Sequence, residues 1–309
     1  MSILRPAILT GLSKAYSLCD RRKRLNIITL HRIDRTNSSS AVAKIRSEIE
    51  YLAREHRFIL PSDLAHLNSS DENLAMITID DGHDSLYTYL YPLFKEMNVP
   101  FTPCIPTDFT FRGAWLWFDQ LEYIFKSTAD LGNASTKKEF DDCLVKLKAM
   151  GKNDREEALK RIARIRSCEV PSSPTSDYTP MSEAQIMEML ASGLMELTGH
   201  GITHTIMTLL NDDDLNHELS AAKQELEAAF GRKISCFCYP NGLEGDFDGR
   251  TEKAIRDNGY ASALTSVEGS NIIHGLDPYN VKRIHTGLNR HSFIKETAGL
   301  GDIQKSLPF

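Results

Sequence analysis

The sequence predicts an α/β fold built on a parallel sheet or barrel, and three observations support this prediction. Apolar runs with the length of strands alternate with amphipathic helical patterns at the spacing of βα units. The chain has 309 residues, of which 41% are apolar, enough for a large hydrophobic core. Residues 110–178 interrupt the alternation with charged helical stretches and therefore predict a helical insertion.

Each predicted element follows from its apolar periodicity and the residues that flank it. The predicted strands are 25–30, 58–60, 75–79, 100–105, 194–198, 234–239, 261–265 and 281–285. The predicted helices outside the insertion are 40–52, 85–97, 182–191, 212–230, 249–257 and 293–298. Three aspartates at 212–214 mark a helix start, because carboxylates are stabilised at the positive end of the helix dipole. Gly193 is the expected C-terminal stop of the helix before it.

Composition and charge exclude several classes of protein. The net charge of -6 and the pI near 5.9 give no electrostatic support for nucleic-acid binding. Six cysteines without CxxC spacing predict reduced thiols in a chain of this length. No apolar run approaches the roughly 18 residues that a membrane span requires. We therefore expect a cytoplasmic protein; the sequence does not indicate its oligomeric state.

The first 24 residues predict an amphipathic helix. Arg5 and Lys14 interrupt its apolar residues, and no convincing cleavage site follows, so the segment does not have the pattern of a signal peptide. Its basic end, residues 21–24, is either a solvated helix end or a contact to an anionic membrane surface. Peripheral membrane contact is therefore an open alternative.

Two adjacent carboxylates, Asp80 and Asp81, end the predicted strand 75–79 and precede Gly82. Such a pair is costly to hold in a partly dry site unless a cation neutralises one member or its pKa rises. The pattern therefore favours one metal ligand and one base. An ordinary Asp-Asp-Gly turn is the alternative interpretation.

His200 and His204 are four residues apart, directly after the predicted strand 194–198. On a helical turn both imidazoles would face the same ion. Two histidines and one carboxylate are a normal ligand set for catalytic zinc, and Asp81 could be the carboxylate. Two polar surface histidines are the alternative. His31 is a further candidate, because ligands bind at the carboxyl ends of strands in α/β folds.

Taken together, three motifs resemble those of the polysaccharide deacetylase family, the carbohydrate esterases of the fourth family. They are Asp80-Asp81-Gly82, the pair His200 and His204, and Tyr239-Pro240-Asn241-Gly242, and they stand in the family's order. The resemblance covers about 26–294. It implies a distorted (β/α) barrel domain at 25–309, with about seven parallel strands and the helical insertion at 110–178.

The resemblance also implies the roles of site residues. Asp81, His200 and His204 would hold a divalent metal, zinc in the first place, with cobalt, nickel or manganese as alternatives. Asp80 would be the general base. The turn formed by Tyr239, Pro240, Asn241 and Gly242 would contact the substrate and stabilise the oxyanion through backbone N–H groups.

The chain departs from the family pattern at two places. Cys238 occupies the position of an arginine that orients the base in many members, and we expect Arg283 to replace it, as in members of the exopolysaccharide type. The general acid has two candidates. His285 aligns with the histidine of the family's last motif, whereas His31 resembles the histidine of the exopolysaccharide branch's early Tyr-His motif.

Other residues allow two interpretations each. Trp115 and Trp117 would suit a sugar ring, since aromatic faces stack on apolar sugar faces, but tryptophans also fill cores. His83 either lines the cleft or caps the following helix. Cys236 and Cys238 point the same way from one strand; buried thiols are the expected state, and a metal site is the alternative.

The expected activity is removal of an N-acyl group, in the first place acetyl, from an amino sugar. Because a cytoplasmic chain does not reach secreted polysaccharide, the expected substrate is a lipid-linked or nucleotide-linked glycan precursor. Hydrolysis of a small non-sugar amide on the same fold is one alternative, and a catalytically inactive sugar-binding barrel is another. A phosphotransferase that uses the Asp-Asp-Gly stretch as nucleophile would leave the two histidines without a role.

Overall fold

The computed structural model describes residues 22–69, 72–286 and 289–301. The amphipathic helix predicted for 1–24 therefore lies almost entirely outside the described residues and stays a prediction. Among the residues described, no helix is both long and apolar enough to cross a membrane.

Seven parallel strands close into a barrel, which confirms the predicted fold class. In chain order the strands are β1 (Arg24–Leu30), β2 (His56–Phe58), β3 (Asn73–Ile79), β4 (Thr102–Ile105), β5 (Thr198–Gly199), β6 (Cys236–Cys238), β7 (Ser262–Glu268), β8 (Asn271–Ile272) and β9 (Val281–His285). The barrel order is β1-β3-β4-β5-β6-β7-β9, and β9 pairs with β1 to close it. β2 extends the sheet beside β3, and β8 runs antiparallel to the start of β1.

The helices surround this barrel. They are α1 (Ser38–Leu52), α2 (Tyr91–Met97), α3 (Thr107–Arg112), α4 (Trp117–Thr128), α5 (Ala134–Lys148), α6 (Lys152–Ile165), α7 (Glu183–Ala191), α8 (Asp212–Phe230), α9 (Gly249–Asp257) and α10 (Arg290–Thr297). A π-helical turn at Leu86–Leu90 leads into α2, in place of the continuous α-helix predicted for 85–97.

Several strands are shorter than their apolar runs predict. The run 194–198 contributes only Thr198–Gly199 to the sheet, and Met195 forms an isolated bridge to Phe101. Most residues of this run are apolar because they are buried, but only residues that are hydrogen-bonded to a neighbouring strand belong to the sheet. Apolar content therefore overestimates the length of this strand, whereas β3 and β7 are longer than the predicted strands 75–79 and 261–265.

Side chains of the barrel strands alternate between two apolar layers, as a period of two residues requires. Inward-facing side chains fill the barrel: Leu25, Ile27, Leu74, Met76, Cys104, Cys236, Cys238, Leu264 and Val281. Outward-facing side chains, such as Ile28 and Ile77, pack under the surrounding helices. Inside the insertion, α4, α5 and α6 pack around a separate cluster that includes Leu121, Phe125 and Leu159.

The register of the barrel brings the ends of distant strands to one edge. Leu30, the last residue of β1, pairs with Ile79, the last residue of β3. His31 and Asp80 therefore follow at the same level. Because all seven strands of the barrel are parallel, their carboxyl ends form one rim, where (β/α) barrels carry their sites.

Candidate active site

The two histidines of the second motif and the second aspartate of the first motif meet at this rim. Asp81 Oδ1 lies 3.3 Å from His204 Nε2 and 3.8 Å from His200 Nε2. One ligand atom from each residue lies within 4.8 Å of the others, and all three side chains are buried. Three residues from two separate parts of the chain thus form one compact cluster.

The backbone reaches this geometry without a helical turn. No helix is assigned between His200 and His204, so the expectation that a helical turn aligns them is wrong. The loop instead turns at Gly201, with φ of 76°, and at His204, with φ of 55°. Asp81 also has a positive φ, 75°. Non-glycine residues rarely adopt this region, and such strained positions concentrate at functional sites.

The donor set fits a divalent metal ion. His200 Nδ1 donates to the backbone carbonyl of Cys238 at 2.7 Å, which fixes the tautomer that leaves a lone pair on Nε2. That Nε2 atom is buried and has no hydrogen-bond partner among the described residues. Burial lowers the pKa of His204 and favours its neutral form. Burial raises the pKa of Asp81, but the hydrogen bond to His204 and the surrounding histidines together outweigh burial and hold the pKa of the carboxyl well below its usual range.

The buried carboxylate of Glu218, on α8, holds the loop that carries the two histidines. Its Oε2 accepts the N–H of Ile202 at 2.6 Å and that of Thr203 at 3.1 Å, and its Oε1 accepts the Thr203 hydroxyl. A Cβ at position 201 would lie 2.9 Å from Glu218 Oε2, so Gly201 is required for space as well as for its φ. Glu218 belongs to no sequence motif and was not predicted; its only signal in the sequence is a charged residue beside the apolar face of α8.

We expect Glu218→Ala to lower the affinity of the cluster for zinc by about 10–100-fold, the usual cost of removing a partner that orients a metal-binding group. The substitution leaves two backbone N–H groups and one hydroxyl without their acceptor and releases the His204 loop. Competition with a chromophoric chelator measures the affinity. Glu225→Ala, on the same helix but paired with Arg112 at the surface, is the control and should leave it unchanged. Equal affinities in the two variants would contradict the role of Glu218.

Asp80 forms a buried ion pair with Arg283 inside the barrel, near its carboxyl rim. Arg283 donates from Nη1 to Asp80 Oδ1 at 2.7 Å and from Nη2 to Oδ2 at 2.9 Å. The other three N–H groups of the guanidinium donate to Thr265 O, Thr78 Oγ1 and Ser266 Oγ. All five donors are thus satisfied, and the guanidinium is fully buried.

This pair sets the charge state of Asp80. Burial raises the pKa of the Asp80 carboxyl, but the Arg283 guanidinium outweighs that effect and holds it well below its usual range. Cys238, at the position of the family's usual arginine, has its Sγ 3.8 Å from Asp80 Oδ1. The arginine that contacts Asp80 therefore comes from β9, and Asp80 is an ionised carboxylate beside the histidine cluster.

The two candidate general acids lie side by side at the rim. Their rings are stacked, with centroids 6.4 Å apart. His31 Nε2 is 3.7 Å from Asp80 Oδ2, and 54% of its side chain is exposed. His285 Nε2 is 3.2 Å from Ser266 O and 3.8 Å from Glu268 Oε2. The ring of His31 is therefore the one that faces solvent beside Asp80.

The third-motif turn offers fewer backbone donors than predicted. The N–H of Tyr239 donates to Leu264 O at 3.0 Å, and that of Gly242 donates to Pro240 O at 2.8 Å. The ring of Tyr239 is fully buried against Phe247. Because proline has no N–H, Asn241 supplies the remaining backbone donor of this turn. The expectation that Tyr239 contributes an oxyanion donor is therefore wrong.

His83 links the first motif to the insertion. It is buried, and its Nε2 lies 2.6 Å from Asp119 Oδ2 on α4. Asp119 Oδ1 in turn accepts from Arg32 at 3.3 Å. The Arg32 guanidinium also pairs with Glu122 and lies 4.3 Å from the centroid of the Tyr178 ring. Sequence reasoning missed this network, and His83 takes part in it instead of capping a helix.

The insertion also contacts the other two motif loops. The ring of Phe118, on α4, lies 5.1 Å from the ring of His204. Lys148, the last residue of α5, has its Nζ 3.4 Å from Asp246 Oδ2. Asp246 accepts from the side chain of Asn241 in the third-motif turn. The insertion therefore contacts the second-motif loop directly and the third-motif turn through Asp246.

The two tryptophans belong to the same region. Trp115 donates from Nε1 to Pro171 O at 2.8 Å and packs on Tyr178. Trp117 lies under the guanidinium of Arg155, 5.0 Å from the ring centroid. Both tryptophans line a cavity beside the second-motif loop.

A parallel barrel with a histidine–carboxylate cluster and a second carboxylate at its carboxyl rim defines a class of barrel hydrolases. Within that class the chain belongs to the polysaccharide deacetylase family, whose sequence model matches residues 68–263. It is therefore a deacetylase that acts on glycan, and its buried Asp/His/His group could bind the divalent metal that this family generally uses. No curated protein sequence matches the chain.

Solved structures of deacetylases share the fold. The Streptococcus pyogenes deacetylase PplD in complex with acetate has a TM-score of 0.56 at 14% identity, over 85% of this chain and 92% of that one. IcaB from Ammonifex degensii has a TM-score of 0.58 at 15% identity, over 90% and 97%. A polysaccharide deacetylase from Bacillus cereus has a TM-score of 0.58 at 13% identity, over 90% and 69%. At these identities the likeness shows the fold alone.

Proposed function

We propose that this protein is a metal-dependent N-deacetylase that removes an acetyl group from an amino sugar in a glycan or glycan precursor. The convergence of Asp81, His200 and His204 beside an ionised second carboxylate, Asp80, carries the proposal. A structural role for this cluster alone would leave the buried Nε2 of His200 unsatisfied. The precursor is proposed to be lipid-linked or nucleotide-linked, which rests on the predicted cytoplasmic location.

In this proposal, amide hydrolysis uses three residues as metal ligands and a fourth as the general base. Asp81, His200 and His204 would hold the divalent ion, zinc in the first place, which when bound polarises the amide carbonyl and lowers the pKa of water. Asp80 orients the attacking water and accepts its proton, because Arg283 keeps the carboxylate ionised and fixed in direction.

Two further groups complete the proposed mechanism. The backbone N–H of Asn241 faces the developing oxyanion as a donor. We assign the general acid to His31, which protonates the leaving amine, because its exposed ring lies 3.7 Å from Asp80. His285 takes a positioning role beside it, since its Nε2 approaches Ser266 O.

Metal content and product release test the proposal together. We expect the purified protein to contain about one equivalent of a divalent metal, as one set of two histidines and one carboxylate binds a single ion. His200→Ala and His204→Ala should lose both the metal and acetate release from N-acetylglucosamine oligomers. Elemental analysis and an acetate assay are the measurements. His274→Ala, an exposed histidine outside the site, is the matched control.

Two results would overturn this assignment. Full metal occupancy in the His200 and His204 variants would exclude the cluster as the metal site. Acetate release from small non-sugar amides, without any release from amino sugars, would replace the sugar with the alternative substrate class.

A further inference from the structure

A cavity of about 290 Å³ lies between the helical insertion and the second-motif loop. Trp117 of α4, Arg155 of α6 and Thr203 of the loop are among the residues that line it. Thr203 directly precedes His204, so the cavity adjoins the active site without including any residue of the Asp/His/His cluster. The mechanism proposed above makes no use of it.

Arg155 is buried in the wall of this cavity, and none of the described residues gives it a charged partner. Only 3% of its surface is exposed. Nη2 donates to Thr205 Oγ1 at 3.2 Å, but Nη1 is buried and has no hydrogen-bond partner among the residues described. Within those residues no carboxylate lies at ion-pair distance from its guanidinium, and Glu156 and Glu218 offset only in part the lowering of its pKa by burial. A buried charge is normally paired, so this guanidinium is short of an anion.

The side chains that line the cavity also carry an excess of positive charge. Three basic side chains stand against two carboxylates there, in a chain with a net charge of -6. Lys152 and Lys160 line the cavity beside Arg155. The carboxylates that line it are Asp108, which pairs with an arginine of α3, and Glu156. The local field therefore favours an anion.

We propose that this cavity is a subsite for an anionic group, a phosphate or a carboxylate, carried by the amino sugar that the neighbouring site deacetylates. An arginine presents paired N–H donors that match both groups. Trp117, whose ring centroid lies 5.0 Å from the Arg155 guanidinium, also lines the cavity and gives it an aromatic wall for the attached sugar ring. The link to deacetylation rests on the proposed function, whereas binding of the anion to Arg155 does not.

Calorimetric titration of the metal-loaded protein measures binding of the anionic group separately from deacetylation. The probes are N-acetylglucosamine 1-phosphate, N-acetylmuramic acid and neutral N-acetylglucosamine. We expect at least one anionic sugar to bind about tenfold more tightly than the neutral one, a difference of about 1.4 kcal/mol. Whichever anionic sugar shows the preference identifies the group, phosphate or carboxylate.

Variants of Arg155 test whether this residue causes the preference for anionic sugars. Arg155→Gln should abolish it, and Arg155→Lys should retain part of it. Lys138→Gln removes the same charge from an exposed position on α5 and should leave it intact. Because the readout is a ratio of two affinities for one protein, a general loss of stability in the Arg155 variants does not imitate the result.

Two outcomes would overturn the subsite. Equal affinity of the wild type for neutral and anionic sugars excludes it, and a preference that survives in Arg155→Gln places the anion elsewhere, for instance on the metal. If the preference depends on Arg155 but neither these sugars nor N-acetylglucosamine oligomers are deacetylated, the subsite stands and the proposed function fails. If the sugars are deacetylated without any preference, the proposed function stands and the subsite fails.

Discussion

Asp80→Asn is expected to reduce kcat for deacetylation by about 10³-fold, within the range that general base catalysis contributes. The amide keeps the size of the carboxylate but has no basic oxygen to accept the proton of the attacking water. KM should change little, because Asp80 lies at the edge of the cluster and is not one of its three proposed metal-binding residues. Steady-state kinetics on the substrate found by the acetate assay gives both constants.

Metal content distinguishes this effect from loss of the site. Asp80→Asn should keep its metal, whereas Asp81→Asn should lose metal and activity together. Asp84→Asn is the matched control, because the Asp84 carboxylate accepts a hydrogen bond from Gln185 and lies outside the cluster. An Asp80→Asn enzyme that retains its metal and more than about a tenth of wild-type kcat would exclude Asp80 as the base.

The parts of the fold that could be predicted depend on local signals. The bounds of α8 and α9 match the prediction. Both helices begin where a side chain caps the N-terminus: the side chain of Asn211 accepts the N–H of Asp214, and Asp248 forms a capping box. The β9 strand also matches, and its period of two residues points Val281 and Arg283 to the same face. Arg283 therefore lies in the barrel interior, on the side where β3 ends in Asp80.

The parts that could not be predicted depend on contacts between distant segments. β1 pairs with β3 and β9 and not with β2, its successor in the chain, and no local pattern specifies such pairing. The positive φ of His204 is stabilised by the surrounding structure and not by its own preference. Glu218 and Asp119 were missed for the same reason, since their importance comes from the loops that they contact.

The ion pair inside the barrel gives the largest expected effect on stability. Arg283→Met should lower the free energy of unfolding by about 3–5 kcal/mol, because it leaves the Asp80 carboxylate buried without its counter-charge. By contrast, Arg250→Met removes a surface pair with Asp212 and should cost less than about 1 kcal/mol. Urea denaturation of the metal-free proteins measures both values without a contribution from bound ions.

A double variant separates the contribution of the ion pair to stability from that of the packing around it. In Asp80→Asn/Arg283→Met neither position leaves an unpaired buried charge, so the loss of stability should be smaller than the sum of the two single losses by about 2 kcal/mol. Activity should stay low, because the base is absent. If Arg283→Met costs no more than Arg250→Met, or if the two single losses simply add, then Arg283 is not what holds Asp80 ionised, and the orientation of the base must come from another contact.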